Sequence, residues 1–355
     1  MRDNVGLFLS KRASLSPNLE AFVDIASGLR LSYKELNERS NQVAHMLRDR
    51  GIKKGDRVAL LMLNCPAYLE AFFALAKIGA VTVPLNTRLV AAELAYILQD
   101  SGSRLLIYGE DFSETVTDLQ AKGKEGTTVE DWIFVSAPGG DPNAKADFAS
   151  DYERLREQSP QDEPELAADE EDMLYIMYTS GTTAKPKGCQ HSTGGYLSYV
   201  AGTSKFYQDI HPEDVYWCFA DIGWITGHSY IVYGPLSVNA TSVIYEGVPT
   251  YPDAGRAWRI AERLNVNIFH TAPTTIRMLR KVGPDEPKKY NYHFKHMTTV
   301  GEPIEPEVWR WYHEVVGKKE AVIVDTWWQT ENGGFLGSTL PALQPMKPGS
   351  CGPGV

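Results

Sequence analysis

From Ser32 onward, apolar runs the length of a strand alternate with stretches of helical periodicity. Ser32 and Glu35 form a capping box, with Leu36, Val43, Met46 and Leu47 following at helical spacing and Gly51 closing the helix. A buried-type strand is predicted over 58–63, a helix over 66–77, a strand over 81–83, a helix over 91–99 and a strand over 104–108. The rhythm resumes with strands over 173–178, 215–220, 242–246, 267–271, 296–300 and 321–325, and with helices such as 254–264 and 306–316. Strands and helices joined by short links pack as mostly parallel sheets with helices on both faces. The fold class expected is therefore α/β, with two packed subdomains of such sheets.

Residues 138–172 break the alternation with Pro138-Gly139-Gly140, Pro142, Pro160, Pro164 and the acidic run Asp169-Glu170-Glu171-Asp172. This reads as a solvated connector. It divides the chain into approximate subdomains over 1–168 and 169–355.

Composition excludes several classes. The net charge of −10, from 35 basic and 45 acidic residues, argues against a nucleic-acid binder. Cys65, Cys189, Cys218 and Cys351 are scattered without a CxxC pair, which argues against a zinc site or disulfide framework and favours a reducing cytoplasm. No apolar run reaches the ~18 residues that span a bilayer. The start, Met1-Arg2-Asp3-Asn4, carries no signal-peptide core.

The most informative loop is Thr179-Ser180-Gly181-Thr182-Thr183-Ala184-Lys185-Pro186-Lys187-Gly188, directly after the apolar run 173–178. Hydroxyls, glycine amides and lysines at one strand end suit a polyphosphate. Gly188 is followed by Cys189, so this is not a Walker A box. Four further loops follow candidate strands: Asp221-Ile222-Gly223-Trp224-Ile225-Thr226-Gly227-His228, Thr271-Ala272-Pro273, Gly301-Glu302-Pro303, and Asp325-Thr326-Trp327-Trp328-Gln329-Thr330-Glu331. Ligands of open parallel sheets bind at the carboxyl ends of strands, so the five loops are expected on one crevice.

Thr179 to Gly188, Gly301-Glu302-Pro303 and Asp325 to Glu331 together resemble the signature set of the AMP-forming acyl-CoA synthetases, within the adenylate-forming superfamily. The 221–230 and 325–331 stretches are most similar to the acetyl-CoA synthetase branch, while the first 130 or so residues look like a general acyl-CoA synthetase. The resemblance implies two steps. A carboxylate attacks the α-phosphorus of ATP to give an acyl-adenylate and pyrophosphate, and the CoA thiol then displaces AMP. ATP, Mg²⁺ and CoA as co-substrate are implied.

By the same resemblance, Thr179, Ser180, Gly181, Thr182, Thr183 and Lys187 would hold the β- and γ-phosphates, and Ala184 stands where the family most often has glycine. Glu331 would hold Mg²⁺ and Thr330 the α-phosphate; with Lys187 these are the candidate catalytic residues. Gly301, Glu302, Pro303, Asp325, Thr326, Trp327, Gln329 and Thr330 would bind the adenine and AMP. Trp328 would close an acyl pocket with Val300, Thr271 and Trp224, limiting the acid to acetate or propionate. Asn332 stands where the family has Thr or Gly. Bland readings stay beside these: Glu331 as a carboxylate at a helix N-terminus, Trp327 and Trp328 as core aromatics, and His191, His228 and His270 as structural hydrogen-bonders.

Family members continue past the point where this chain ends, with a hinge and a small lid domain carrying a lysine. The expectation is therefore a large N-terminal domain that binds ATP or an adenylate weakly and does not complete the reaction. Its partners would be small molecules, with no nucleic acid and no membrane; oligomeric state is not readable. Also open are a medium-chain or aromatic acid as substrate, an acceptor other than CoA, and a nucleotide-binding module without turnover.

Overall fold

The computed structural model of the chain describes residues 4–141, 144–179 and 186–355. Its strands, in chain order, are β1 (Glu20–Asp24), β2 (Arg30–Ser32), β3 (Arg57–Leu61), β4 (Val81–Pro84), β5 (Leu105–Gly109), β6 (Asp131–Val135), β7 (Ser150–Asp151), β8 (Met173–Thr179), β9 (Lys187–Ser192), β10 (Val215–Cys218), β11 (Thr241–Ile244), β12 (Ile268–Thr271), β13 (His296–Thr299), β14 (Val322–Trp327) and β15 (Gly337–Ser338). They form an eight-stranded sheet in the order β15-β14-β13-β12-β10-β11-β1-β2 and a seven-stranded sheet in the order β7-β6-β5-β3-β4-β8-β9. Parallel pairing runs from β10 through β12 and β13 to β14, and from β6 through β5 and β3 to β4. The expected α/β architecture of mostly parallel sheets is what forms. β8–β9 and β14–β15 pair antiparallel.

Two compact units divide the chain. The first takes Met1–Glu20, Ala26–Ser198 and Asp221–His228; the second takes Ala21–Ile25, Tyr199–Ala220 and Ser229–Val355. This partition differs from a cut at 168/169. Pairing explains the difference: β8 joins β4 (Tyr175 beside Thr82), while β1 joins β11 (Phe22 beside Ser242).

Local chemistry accounts for the elements of the first unit. The helix Tyr33–Asp49 begins with the complete Ser32–Glu35 capping box. The helix Pro66–Ile78 starts with proline, whose missing N–H costs nothing in the first turn, and is buried from Ala67 to Ile78. Burial on every side explains a sequence that is apolar apart from Glu70 and Lys77.

The connector is more structured than its composition suggests. It contains β7 and the helix Tyr152–Glu157. The Tyr152 hydroxyl donates to buried Glu70 at 2.8 Å, and Arg39 Nε donates to the same carboxylate at 2.6 Å. Glu163 pairs with Lys77, which is fully buried and also donates to Asn37 Oδ1 at 2.8 Å. Scattered polar side chains thus anchor the segment where apolar periodicity is lacking.

In the second unit the core gathers Trp217, Trp258, Phe269, Tyr292, Phe294, Met297 and Ile323. The helix Arg256–Leu264 turns Ala257, Ile260, Ala261 and Leu264 inward and leaves Arg259, Glu262 and Arg263 exposed. Each large apolar side chain so buried contributes about 1.5–3 kcal/mol. The single helix expected over 306–316 begins as Pro306–Trp311 and widens to π-helical turns over Tyr312–Val316.

Candidate functional site

Three of the five loops singled out in the sequence leave neighbouring parallel strands of the second unit. The ladder aligns Thr271 with Thr299 and Thr299 with Asp325. Thr271-Ala272-Pro273, Val300-Gly301 and Thr326-Trp327 therefore emerge level with one another at the carboxyl edge of the sheet. The other two loops arise elsewhere. The loop after Thr179 follows a strand of the other sheet, and Asp221 to His228 belong to the first unit.

Gly301 holds φ +94°, a conformation that L side chains rarely adopt, and a Cβ there would meet only open space. On the adjacent strand Trp327 ends β14 with its side chain 53% exposed, an unusual degree for an indole. An open glycine backbone and an exposed indole on neighbouring strand ends suit a flat ring with polar edges. Between them, Asp325 Oδ1 accepts from the Thr299 hydroxyl at 2.5 Å, and the Thr326 hydroxyl donates to the Thr299 carbonyl at 2.7 Å. Burial pushes the Asp325 carboxyl above its ordinary value against the opposing Thr299 bond.

The Glu302 side chain is held by the neighbouring helix. Its Oε1 accepts from the Thr274 amide at 2.8 Å and from the Thr274 hydroxyl, and its Oε2 accepts from Arg277 Nη2 at 2.5 Å. The carboxylate thus satisfies the first turn of the helix Pro273–Val282, whose own cap residue, Ala272, supplies no side-chain bond. Burial raises its pKa, but the Thr274 and Arg277 bonds outweigh that and hold it below the ordinary carboxylate range. Pro303 beside it is exposed.

After Trp327 the chain makes a turn in which the Asn332 amide donates to the Gln329 carbonyl at 3.1 Å. Gln329 and Glu331 are exposed and Thr330 is half-buried. No helix follows, so Glu331 is not a helix-terminal carboxylate. No group of three acidic, histidine or cysteine residues able to cage a metal occurs among the described residues. A lone exposed carboxylate fits Mg²⁺, which takes one or two carboxylates and draws its remaining ligands from water and phosphate.

Trp328 is half-buried, and its indole N–H is enclosed with no acceptor in reach. Val300 and Thr271 are buried, 5% and 1% exposed, and linked by the Val300 amide donating to the Thr271 carbonyl at 3.1 Å. His270, next to Thr271, bonds Thr298 and Gln208 through Nδ1, and burial drives its pKa down to about 3. A permanently neutral ring of this kind is structural.

In the first unit, β8 and β9 form a hairpin that sets Thr179 opposite Lys187. The returning strand was not anticipated. Ser180, Gly181, Thr182, Thr183 and Ala184 lie outside the described residues. Thr179 is half-buried and Lys187 exposed. In the 221–228 loop, Asn64 Oδ1 accepts from the Ile222 amide and Asp221 Oδ1 from the Gly223 amide, both at 2.7 Å. Trp224 is 37% exposed. His228 is fully buried against Phe72 (4.9 Å) and Tyr175 (5.1 Å), with its pKa driven by burial to about 3. His191 packs on Tyr175 at 5.0 Å.

The chain matches the family described as AMP-binding enzyme over residues 9–355. It is 42% identical over 330 residues to an acetyl-coenzyme A synthetase of Methylobacterium radiotolerans, covering 90% of this chain and 51% of the relative. It is 43% identical over 336 residues to an acetyl-coenzyme A synthetase of Rhizobium rhizogenes, covering 91% and 51%. The chain thus spans about half the length of these curated relatives. Among solved structures, the anthranilate CoA ligase AuaEII in complex with anthranoyl-AMP superposes with a TM-score of 0.88 at 23% identity, covering all of this chain and 65% of that one. That likeness bears on the fold.

Proposed function

The chain belongs to the AMP-binding enzyme family, and on that premise we propose that it serves the ATP-dependent activation of acetate or propionate as an acyl-adenylate, followed by transfer to CoA. The observation that carries this reading is the open Gly301 backbone level with the exposed Trp327 indole, with the exposed Glu331 carboxylate four residues on.

In the proposed reaction a carboxylate oxygen attacks the α-phosphorus and the bond to the pyrophosphate oxygen breaks. The CoA sulfur then attacks the acyl carbon and AMP leaves, the thiol proton passing to solvent or base. Such chemistry rests on positioning and charge neutralisation. Gly301, Pro303 and the backbone of Glu302, with Trp327, would hold the adenine, and Asp325 would accept from its amino group. Gln329 and Thr330 would place the AMP, Thr330 at the α-phosphate. Glu331 would hold Mg²⁺, which when bound offsets phosphate charge. Trp328, Val300 and Thr271 would wall the acid. On sequence alone, Thr179, Ser180, Gly181, Thr182, Thr183 and Lys187 are assigned to the terminal phosphates, and Trp224 to the acid. The relatives named acetyl-coenzyme A synthetase support the short-chain assignment.

The test is calorimetric binding of acetyl-, hexanoyl- and benzoyl-sulfamoyladenosine, stable mimics of acyl-adenylates, to this chain. The acetyl compound should bind with a micromolar dissociation constant, about −8 kcal/mol, in competition with ATP. Tighter binding of the larger acyl groups would refute the short-chain assignment. Absence of competition with ATP would refute the adenylation site.

A further inference from the structure

Trp328 has no hydrogen bond to fix its ring, since its indole N–H is enclosed without an acceptor. What fixes it is aromatic packing. Its ring meets Tyr230 edge-on, with centroids 5.4 Å apart and planes at 87°, and meets Phe335 at 6.1 Å and 75°. Tyr230 and Phe335 stack on each other at 4.4 Å and 20°, and both are fully buried. The stack is itself anchored. The Tyr230 hydroxyl lies 2.9 Å from Thr203 Oγ1, the Phe335 carbonyl accepts from the Tyr199 hydroxyl, and Ser229 Oγ donates to the Gly333 carbonyl at 2.6 Å. At Gly334 a Cβ would lie 2.8 Å from the Tyr199 ring, so the backbone approaches that ring as only glycine allows.

We propose that the Tyr230–Phe335 stack is the positioning element that sets the acid chain length, by holding Trp328 across the acyl pocket. The inference rests on the proposed acid-activating function and on Trp328 as the pocket wall. A wall ring with no bond of its own keeps its rotamer only while its neighbours occupy the alternative space. Replacing one flat neighbour by a smaller, rounder side chain gives the indole room to swing and the pocket room for further methylenes. Phe335 and Tyr230 touch no substrate atom in this scheme.

The experiment compares dissociation constants of acetyl- and butyryl-sulfamoyladenosine, with AMP as a reference ligand, for the wild-type chain, Phe335→Leu and Phe335→Tyr. In Phe335→Leu the butyryl-to-acetyl preference should move by about tenfold toward butyryl, the low end of the discrimination a methylene commands. AMP binding should change less than about twofold, and Phe335→Tyr should keep the wild-type preference. A merely structural role would weaken all three ligands together. Should Phe335→Leu lose AMP binding, Thr203→Val, which leaves both rings in place and removes the Tyr230 anchor together with the hydroxyl's bonds to the Tyr199 and Val200 carbonyls, supplies the decision through the same ratio. An unchanged ratio with AMP binding intact overturns the inference alone. Wild-type protein that binds neither adenylate mimic overturns the proposed function, and the inference with it.

Discussion

Arg277 donates through Nη2 to Glu302 Oε2 at 2.5 Å and through Nη1 to Glu305 Oε2 at 3.0 Å. One guanidinium thereby brackets the loop from Glu302 to Glu305 from the outside. The Glu302 carboxylate is thereby tied to the helix Pro273–Val282, and its charge helps to shape the loop.

Arg277→Met should accordingly separate affinity from stability. The pair is partly exposed, 32% and 34% at the side chains, and such pairs contribute about 0.2–1 kcal/mol to folding. The melting temperature should fall by no more than about 3 °C. AMP affinity should fall by about fivefold as the Gly301 loop loosens, roughly 1 kcal/mol. Unchanged AMP binding in calorimetry would show that the loop holds its shape without the arginine.

Gly301→Ala tests the loop from the other side. Open space around the position means no clash, so the cost is that of the positive φ, about 1–3 kcal/mol. That predicts a melting temperature lower by several degrees, about 2–4 °C for each kcal/mol, and AMP binding weakened by at least about tenfold. If affinity falls no further than stability alone explains, the Gly301 face does not receive the nucleotide.

Asp325 predicts a pH signature. Its folded pKa lies above the unfolded value because burial disfavours the charge. The folded state therefore holds the proton more tightly, and the side chain favours folding below the unfolded carboxylate pKa. That contribution is lost as pH rises through the folded value. Asp325→Asn should be as stable as wild type or more so at pH 7, with the gap closing as pH falls toward the carboxylate range. AMP binding should weaken in the same variant, since a neutral amide oxygen accepts less strongly than a carboxylate. Melting curves from pH 4 to 8 with and without AMP read both effects. A variant less stable than wild type at pH 7 would contradict the first.

Three histidines predict acid lability. Burial drives His228 and His270 to about 3 and His296 to about 4. Above the ordinary histidine value both states are neutral and nothing is lost. As pH falls below it, the unfolded chain gains protons that the folded chain refuses, so stability drops until the folded values are reached. Each histidine costs up to about 1.4 kcal/mol per pH unit over that span. Urea titrations at pH 6 and pH 5 should show the loss, and His296→Asn should reduce it by about 1 kcal/mol. Equal slopes in the variant and wild type would rule out His296 as a contributor.

Local chemistry was legible in the sequence where it is self-contained. The Ser32–Glu35 box, the proline start of the helix Pro66–Ile78 and the strand-end position of Gly301 all follow from residues a few places apart. The return strand β9 was not, because Lys187-Gly188-Cys189-Gln190-His191-Ser192 is polar and mostly exposed along its length and shows no apolar alternation. The Thr274–Glu302 and Arg277–Glu302 bonds span 28 and 25 residues. No periodicity announces such contacts. The connector misled for a related reason. Its anchors, Tyr152 and Glu163, are single polar residues whose partners, Glu70 and Lys77, lie buried in a helix far back in the chain.

Strand β14 is bonded on both sides at its end, with Thr326 and Trp327 opposite Ser338 and Gly337 of β15. Residues 328–336 thus form a bight whose two feet are stitched together. Trp328, assigned to the acid, and Glu331, assigned to the metal, ride on that one bight. A change that tilts it to admit a bulkier acid also carries the carboxylate with it. On those proposed assignments, a shift of the bight's backbone couples selectivity to phosphate handling, whereas a swing of the Trp328 ring alone leaves Glu331 where it is.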